Sequence, residues 1–328
     1  LDRKSYTLTS QMLTIRGDVK TLFCGSWDQL TSLDVSKNIT LTELDCSCND
    51  LTSLDLSQNT ALRYLDCGLN QLTSLDVSKD TALTELGCSG NRLTSLDVSQ
   101  NTALTYLNCS ANRLTSLDVS KNTALTKLEC DENQLISLDV SKNTALTKLI
   151  CLDNQLKSLD VSKNIALTDL DCGLNKLTSL DLSGCNSLTK LDCQINQLTS
   201  LELSDCTSLT KLYCQNNQLT SLDMSKNTAL ETLYCNSNKL TNLNVSGCAR
   251  LNALYCYSNC INGKAMTKLV NSLPNRRKKS SGTFILVDNS AEKRDRNRCS
   301  AAEVTTAKRK NWTVLKDRGR YRRDCLNY

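Results

Sequence analysis

The chain has 328 residues and a formal net charge of +5; 39 % of it is hydrophobic but only 4 % aromatic. With one proline and two phenylalanines, it lacks the large rings of an ordinary globular core, so small, regular aliphatics have to fill the interior. Histidine is absent, which excludes an imidazole base, Ser–His and Cys–His nucleophile pairs and His-containing zinc sites, and no apolar run approaches the roughly 18 residues of a membrane-crossing helix.

From the N-terminus, residues 1–21 read as a β cap. Tyr6 to Leu8 and Leu13 to Ile15 alternate with period two, giving one or two strands over residues 6–24. No basic-then-apolar leader precedes them, and a chain starting at Leu1 reads as processed or trimmed. The next coil is atypical, as a capping repeat should be. Cys24 stands 22 residues before Cys46, and Trp27 and Asp28 replace an asparagine.

Residues 22–260 then repeat. Leu44, Leu65, Leu86 and their successors to Leu254 stand 21 apart, as do Cys46 to Cys256 and Asn49 to Asn259, eleven copies of each. Within one unit Leu41, Leu44, Cys46, Asn49 and Leu51 fit L-x-x-L-x-L-x-x-N-x-L, with cysteine in the third leucine slot. Leu44 and Cys46, two apart, face one side of a short strand, and Asn49 turns the chain with an amide able to satisfy neighbouring backbone. In the second half Leu54 and Leu56 point inward while Ser57 and Asn59 turn, so each coil is expected to have two short extended sides. One coil cannot bury its leucines, but stacked coils can.

After Asn259 the pattern changes. Residues 261–315 read as an α/β cap: a helix from Lys264 to Leu273 ended by Pro274, a strand from Thr283 to Val287, a helix from Ser300 (its N-cap) to Lys310, and a strand from Trp312 to Leu315. Residues 316–328 form an arginine-rich tail without pattern, expected to be disordered. Residues 261–328 hold 18 Lys/Arg against 6 Asp/Glu, a net of +12, leaving −7 for residues 1–260.

The unit that runs Leu-Thr-Ser-Leu-Asp-Val-Ser-Lys-Asn-Thr-Ala-Leu-Thr-x-Leu-x-Cys-x-x-Asn resembles the 21-residue, cysteine-containing leucine-rich repeats of the internalin-J type, also found in surface proteins of gut Bacteroidetes, over about residues 19–263. The resemblance implies a mostly β, α/β leucine-rich-repeat solenoid of about twelve coils with a parallel concave sheet, and the cap resembles those of the same bacterial proteins. It also implies a secreted or surface-displayed adhesion and recognition protein, not a catalyst.

The ladder cysteines lie beside leucine, where a thiol acts as a small hydrophobe, and stacked Cβ atoms about 4.8 Å apart suit no ordinary disulfide. Cys185, Cys206 and Cys248 take the asparagine slot of the second half-coil and read as structural, with a Cys185–Cys206 bond as the alternative. Cys48, Cys260, Cys299 and Cys325 are free of the repeat, and a Cys260–Cys299 bridge is a reasonable expectation. No C-x-x-C occurs, so zinc or iron–sulfur ligation lacks its usual spacing.

Four chemistries remain. Asp118 to Asn122, Asp139 to Asn143 and Asp160 to Asn164 suggest a calcium ladder or, more simply, turn capping; without glycine-rich turns, no cofactor or metal is expected. Asp169 and Asp171 are the nearest approach to a glycosidase pair, yet no deep pocket is expected to tune them. On the concave face the outward residues begin acidic (Glu43, Asp45, Asp66, Glu85, with Tyr64), continue through Lys127, Glu129, Lys148, Ile150 and Leu152, and end at Lys190, Lys211, Tyr213, Tyr234, Tyr255 and Tyr257. These last six are the candidate ligand-binding residues, a tyrosine strip suited to a protein or glycan, unless the rings only brace the sheet. The basic runs Arg276 to Lys279, Arg294 to Arg298, Lys308 to Lys310 and Arg318 to Arg323 could attract a polyanion, though nucleic acid is not expected. A monomeric binding module is expected, with a display rod for another domain as the alternative.

Overall fold

The computed structural model describes residues 12–14, 18–25, 29–288 and 295–317. They fall in two compact units, residues 1–156 and 157–328. Tyr6 to Leu8, Trp27, Asp28, Arg294, Arg318 to Arg323 and Cys325 lie outside the described residues.

In the first unit β1 (Met12–Thr14) pairs in parallel with β3 (Ser32–Asp34), across β2 (Thr21–Phe23) in sequence. A second parallel ladder runs from β2 through β4 (Glu43–Asp45), β5 (Tyr64–Asp66), β6 (Glu85–Gly87), β7 (Tyr106–Asn108) and β8 (Lys127–Glu129) to β9 (Lys148–Ile150). Each strand has three residues, enough to seat one leucine inward between two outward neighbours. The register follows the repeat: Leu44 opposes Leu65, and Leu65 opposes Leu86. Leu51, Leu62, Leu65, Cys67 and Leu72 are all 0 % exposed, and burying each leucine side chain contributes about 1.5–3 kcal/mol.

An asparagine ladder stitches the coils. Asn70 Nδ2 donates to the carbonyls of Cys46 (3.0 Å), Cys67 (3.1 Å) and Gly68 (3.2 Å), and its Oδ1 accepts from Leu51 N at 2.9 Å. One buried amide thus serves backbone of two coils, and Asn91, Asn112 and Asn133 repeat the arrangement. Each ladder asparagine follows a left-handed residue, Leu69 at φ +52° and Ala111 at +51° among them.

The second side of the coil departs from expectation. Leu54 and Leu56 are buried, but among the described residues of this unit the strands on that side are β1 and β3 alone, paired with each other. Asp55 Oδ1 accepts from Ser57 N at 2.9 Å, bending the chain directly after Leu56, and Asn59 N then donates to Leu56 O at 2.8 Å. Lateral linkage passes to side chains: Asn59 Nδ2 donates to Val35 O (3.1 Å) and Asn38 O (2.9 Å). In these coils local turns take the place of strand pairing.

The second unit has a parallel ladder of the same kind through β10 (Asp169–Asp171), β11 (Lys190–Asp192) and β12 (Lys211–Tyr213). β13 (Ser221–Asp223) follows on the other side of the coil, then β14 (Thr232–Tyr234), β15 (Asn242–Asn244), which pairs with β13, and β16 (Ala253–Tyr255). The main ladder continues from β12 to β14 and β16. Helix α1 (Gly263–Ser272), β17 (Gly282–Asp288), α2 (Ala301–Arg309) and β18 (Trp312–Asp317) complete it, with β17 and β18 added in parallel beyond β16. These elements fall within a residue or two of those read from the sequence, and Ser300 forms a full capping box with Glu303. No helix of the described residues is long and apolar enough to cross a membrane.

Two cap residues do work that no sequence signal announced. Asn297 supplies a further rung: its Oδ1 accepts from Ile261 N (2.8 Å) and its Nδ2 donates to Cys256 O (2.8 Å) and Leu286 O (2.9 Å). Lys310 Nζ donates to the carbonyls of Val270, Asn271 and Leu273, closing the C-terminal end of α1.

Ile195, at φ +52° and 38 % exposed, is a β-branched side chain in a left-handed position, where non-glycine residues cost about 1–2 kcal/mol and asparagine less. Ile195→Asn is therefore expected to stabilise the protein by about 1 kcal/mol. The urea midpoint should rise with an unchanged slope; a lower midpoint would show that the side chain packs usefully.

Candidate binding face

The residues flanking each strand leucine form two outward columns. In the second unit, the column after the leucine reads Asp171, Asp192, Tyr213, Tyr234, Tyr255, each opposite the next. The tyrosines are half-buried. Tyr213 and Tyr234 meet edge to face, with centroids 5.2 Å apart at 76°, and Tyr234 and Tyr255 lie 4.0 Å apart at 36°. The rings therefore cover much of one another and present an amphipathic strip.

The other candidates are placed differently. Lys190 Nζ lies 3.6 Å from Asp169 Oδ1, one rung below, so it is partly neutralised. Lys211 stands across Leu212 from Tyr213 on the same strand and is exposed. Tyr257 follows β16, two residues beyond Tyr255, and is half-buried. The structure thus unites three tyrosines as one surface, with Lys211 beside them.

Beside the tyrosines lies a polar cluster that the strip reading missed. Asp192 is 9 % exposed; burial and the neighbouring Asp171 carboxylate push its pKa up to about 7. Gln194 donates to it from its backbone N and from Nε2, both at 3.1 Å. Gln215, 5 % exposed, donates from Nε2 to Gln194 Oε1 at 2.6 Å, while its own Oε1 is buried without a partner. The signal was present in the same 21-residue columns: Asp192 directly precedes the ladder Cys193, and Gln194 and Gln215 directly follow Cys193 and Cys214.

The remaining chemistries fare unevenly. Asp118 Oδ1 accepts from Ser120 N at 2.8 Å, which holds its pKa below the usual value, whereas Asn122 is fully buried and donates to Val98 O and Asn101 O. Those oxygens face different surroundings, which is turn capping and not a shared cation cage. Asp169 and Asp171 flank Leu170 on the open sheet face; clefts of about 160 and 280 Å³ lie instead beside the second half-coils, around Glu202 and Asp181.

Burial pushes the Cys67, Cys88, Cys109 and Cys130 thiols well above their ordinary pKa, so they are poor nucleophiles. Cys248 Sγ lies 3.3 Å from Met224 O, in the place of an asparagine amide. Cys185 and Cys206 are unpaired thiols. The expected Cys260–Cys299 bridge is absent: both are free thiols, and Cys299 Sγ turns instead to Ser300 O at the start of α2. Among the cap cations, Arg276 is 5 % exposed, donating to Leu251 O and Ser280 O beneath the Trp312 ring, and Arg277 Nε donates to Arg309 O.

The parallel coils, in-register leucines and asparagine ladder define a leucine-rich-repeat solenoid. The family description "Leucine Rich repeats (2 copies)" matches residues 81–122 and 186–227. The functional domain of InlJ from Listeria monocytogenes, which includes a cysteine ladder, is 33 % identical, with 90 % of this chain and 72 % of that one covered at a TM-score of 0.59. The chain belongs to this cysteine-ladder, internalin-type leucine-rich-repeat family. The internalin InlF of L. monocytogenes (19 % identity, 84 % and 86 % covered, TM-score 0.62) and a leucine-rich-repeat protein of Leptospira interrogans (19 %, 91 % and 96 %, TM-score 0.56) share the fold. A search of curated proteins gives no match.

Proposed function

We propose that the chain is a non-catalytic binding module of a secreted or surface-displayed protein. It engages a protein partner through the concave face of its second unit, with Tyr213, Tyr234 and Tyr255 as anchors and Lys190, Lys211 and Tyr257 at the margin. The observation that carries this reading is the in-register tyrosine stack, three half-buried rings on a rigid parallel ladder. Pre-ordered rings give large contact area with little entropy left to lose. Because the rings engage one another, edge to face at Tyr213–Tyr234 and tilted at Tyr234–Tyr255, the strip suits a protein surface that packs across several rings better than a sugar that stacks on one open face.

A protein and glycan array probed with the wild type and with the Tyr213→Ala/Tyr234→Ala/Tyr255→Ala variant tests it. Protein capture should fall at least tenfold while the circular dichroism spectrum is retained. Capture unchanged by the triple substitution would favour the display-rod reading, in which the rings only brace the sheet. A polyanion role for the basic segment has less support, since Arg276, Arg277 and Lys310 already serve cap carbonyls.

A further inference from the structure

We propose that Asn262 is a self-modification site: the backbone nitrogen of Gly263 attacks its side-chain amide, and in water the position turns over to aspartate and isoaspartate.

The chain contains a single Asn-Gly pair, Asn262-Gly263, and the fold sets it where the last repeat rung meets α1. Glycine hinders such an attack least, having no side chain beside its nitrogen. Both residues are exposed. Asn262 is extended (φ −149°, ψ 170°) and is the N-cap of α1, yet its side chain makes no bond to the first turn. Its amide donates instead to Cys260 O at 3.1 Å. Gly263 stands at φ +51°, and a Cβ there would meet nothing within 4 Å, so the backbone at this point is open to water. At the start of a helix its N–H has no intrahelical acceptor, and it has none elsewhere among the described residues.

Asn259, in the same segment, shows the contrast. It is 2 % exposed, and its amide is tied to the carbonyls of Cys235, Cys256 and Tyr257. What slows Asn262 is the first turn alone: its carbonyl accepts from Ala265 N (3.1 Å) and Met266 N (3.4 Å), and both bonds break when the Cα–C bond rotates to bring Gly263 N onto Cγ. Helix ends fray readily, so this brake is weak.

Gly263 N, having lost its proton to hydroxide, bonds to Asn262 Cγ; the Cγ–Nδ2 bond breaks, and Nδ2 leaves as ammonia with a proton from water. Water then opens the cyclic imide, giving aspartate by attack at Cγ or isoaspartate by attack at the backbone carbon. Either product places a carboxylate at the N-terminus of α1, whose first turn holds no acid, and there a negative charge is favourable. Isoaspartate also lengthens the main chain directly after Ile261, whose N–H holds the Asn297 rung. The site therefore records a molecule's age at the seam between coil and cap.

Peptide mapping by mass spectrometry tests this on the whole folded chain, incubated at mildly alkaline pH in water labelled with heavy oxygen. Asn262 should convert at least tenfold faster than any other asparagine, with labelled oxygen in the product, and an isoaspartyl methyltransferase should methylate the aged protein at this peptide. Asn262→Gln, whose longer side chain closes a less favourable ring, should stop the conversion, and Gly263→Ala should slow it at least tenfold. The rate in the folded chain should lie within tenfold of that in urea. A larger suppression by folding, an Asn262 that stays intact, product without the label, or conversion unaffected by Gly263→Ala would overturn the proposal.

Discussion

Asn133→Ala should destabilise the first unit by about 3–5 kcal/mol, although it deletes only one small polar group. Asn133 Nδ2 donates to the carbonyls of Cys109 (3.0 Å), Cys130 (3.2 Å) and Asp131 (3.1 Å), and its Oδ1 accepts from Leu114 N at 3.0 Å. Most of this backbone is buried, so water cannot replace the amide. Each orphaned group costs about 1–3 kcal/mol, offset in part by local relaxation. The neighbouring exposed Gln134→Ala serves as control and should stay within about 0.5 kcal/mol. Urea denaturation reads both. A loss below 1 kcal/mol at Asn133 would mean that the ladder decorates the coils without holding them.

Asp80→Asn should do the opposite at neutral pH and above. Asp80 occupies the buried asparagine column of the second half-coil, 1 % exposed, and neither carboxylate oxygen has a partner. At the equivalent places Asn59 and Asn101 each donate to two carbonyls of the preceding coil; an ionised Asp80 can donate to none. Burial, with a smaller contribution from Asp76, pushes its pKa up to about 7. The folded state therefore holds a proton that the unfolded chain releases near pH 4. Stability is accordingly highest below about pH 4 with respect to this group, falls as pH rises from 4 to 7, and is lowest above 7, by about 4 kcal/mol. Asparagine removes that slope and supplies the missing donor. Melting temperatures of the two proteins from pH 4 to 8 should diverge as pH rises; parallel curves would show that Asp80 is not the group responsible.

These residues also mark what could be read from the chain alone. Leu65, Cys67 and Asn70 were legible because in-register stacking requires like residues to meet at every rung, which leaves a strict period in the sequence. Ser300 was legible because a capping box is local. The broken second side was not: whether Leu54 and Leu56 lie on a paired strand depends on the bend that Asp55 and Ser57 impose, and the same alternation fits either outcome. Asn297 was hidden because it stands 38 residues after Asn259, outside the period, and reaches its place through the cap. At the candidate face, spacing revealed that Tyr213, Tyr234 and Tyr255 align, but not that their rings fold onto one another. Asp192 and Gln215 needed burial and partners to stand out from the many acids and amides of the coils.

The ladder also bears on how such a gene can change its size. Every rung offers its successor the same carbonyls and takes from it the same amide, so a duplicated block of 21 residues meets a template already cut to fit it. A block that ended partway round the coil would swing the leucines to the outside. Growth by whole turns is thus the easy path for this lineage, whereas the rung closed by Asn297, outside the 21-residue period, has no such copy to inherit from.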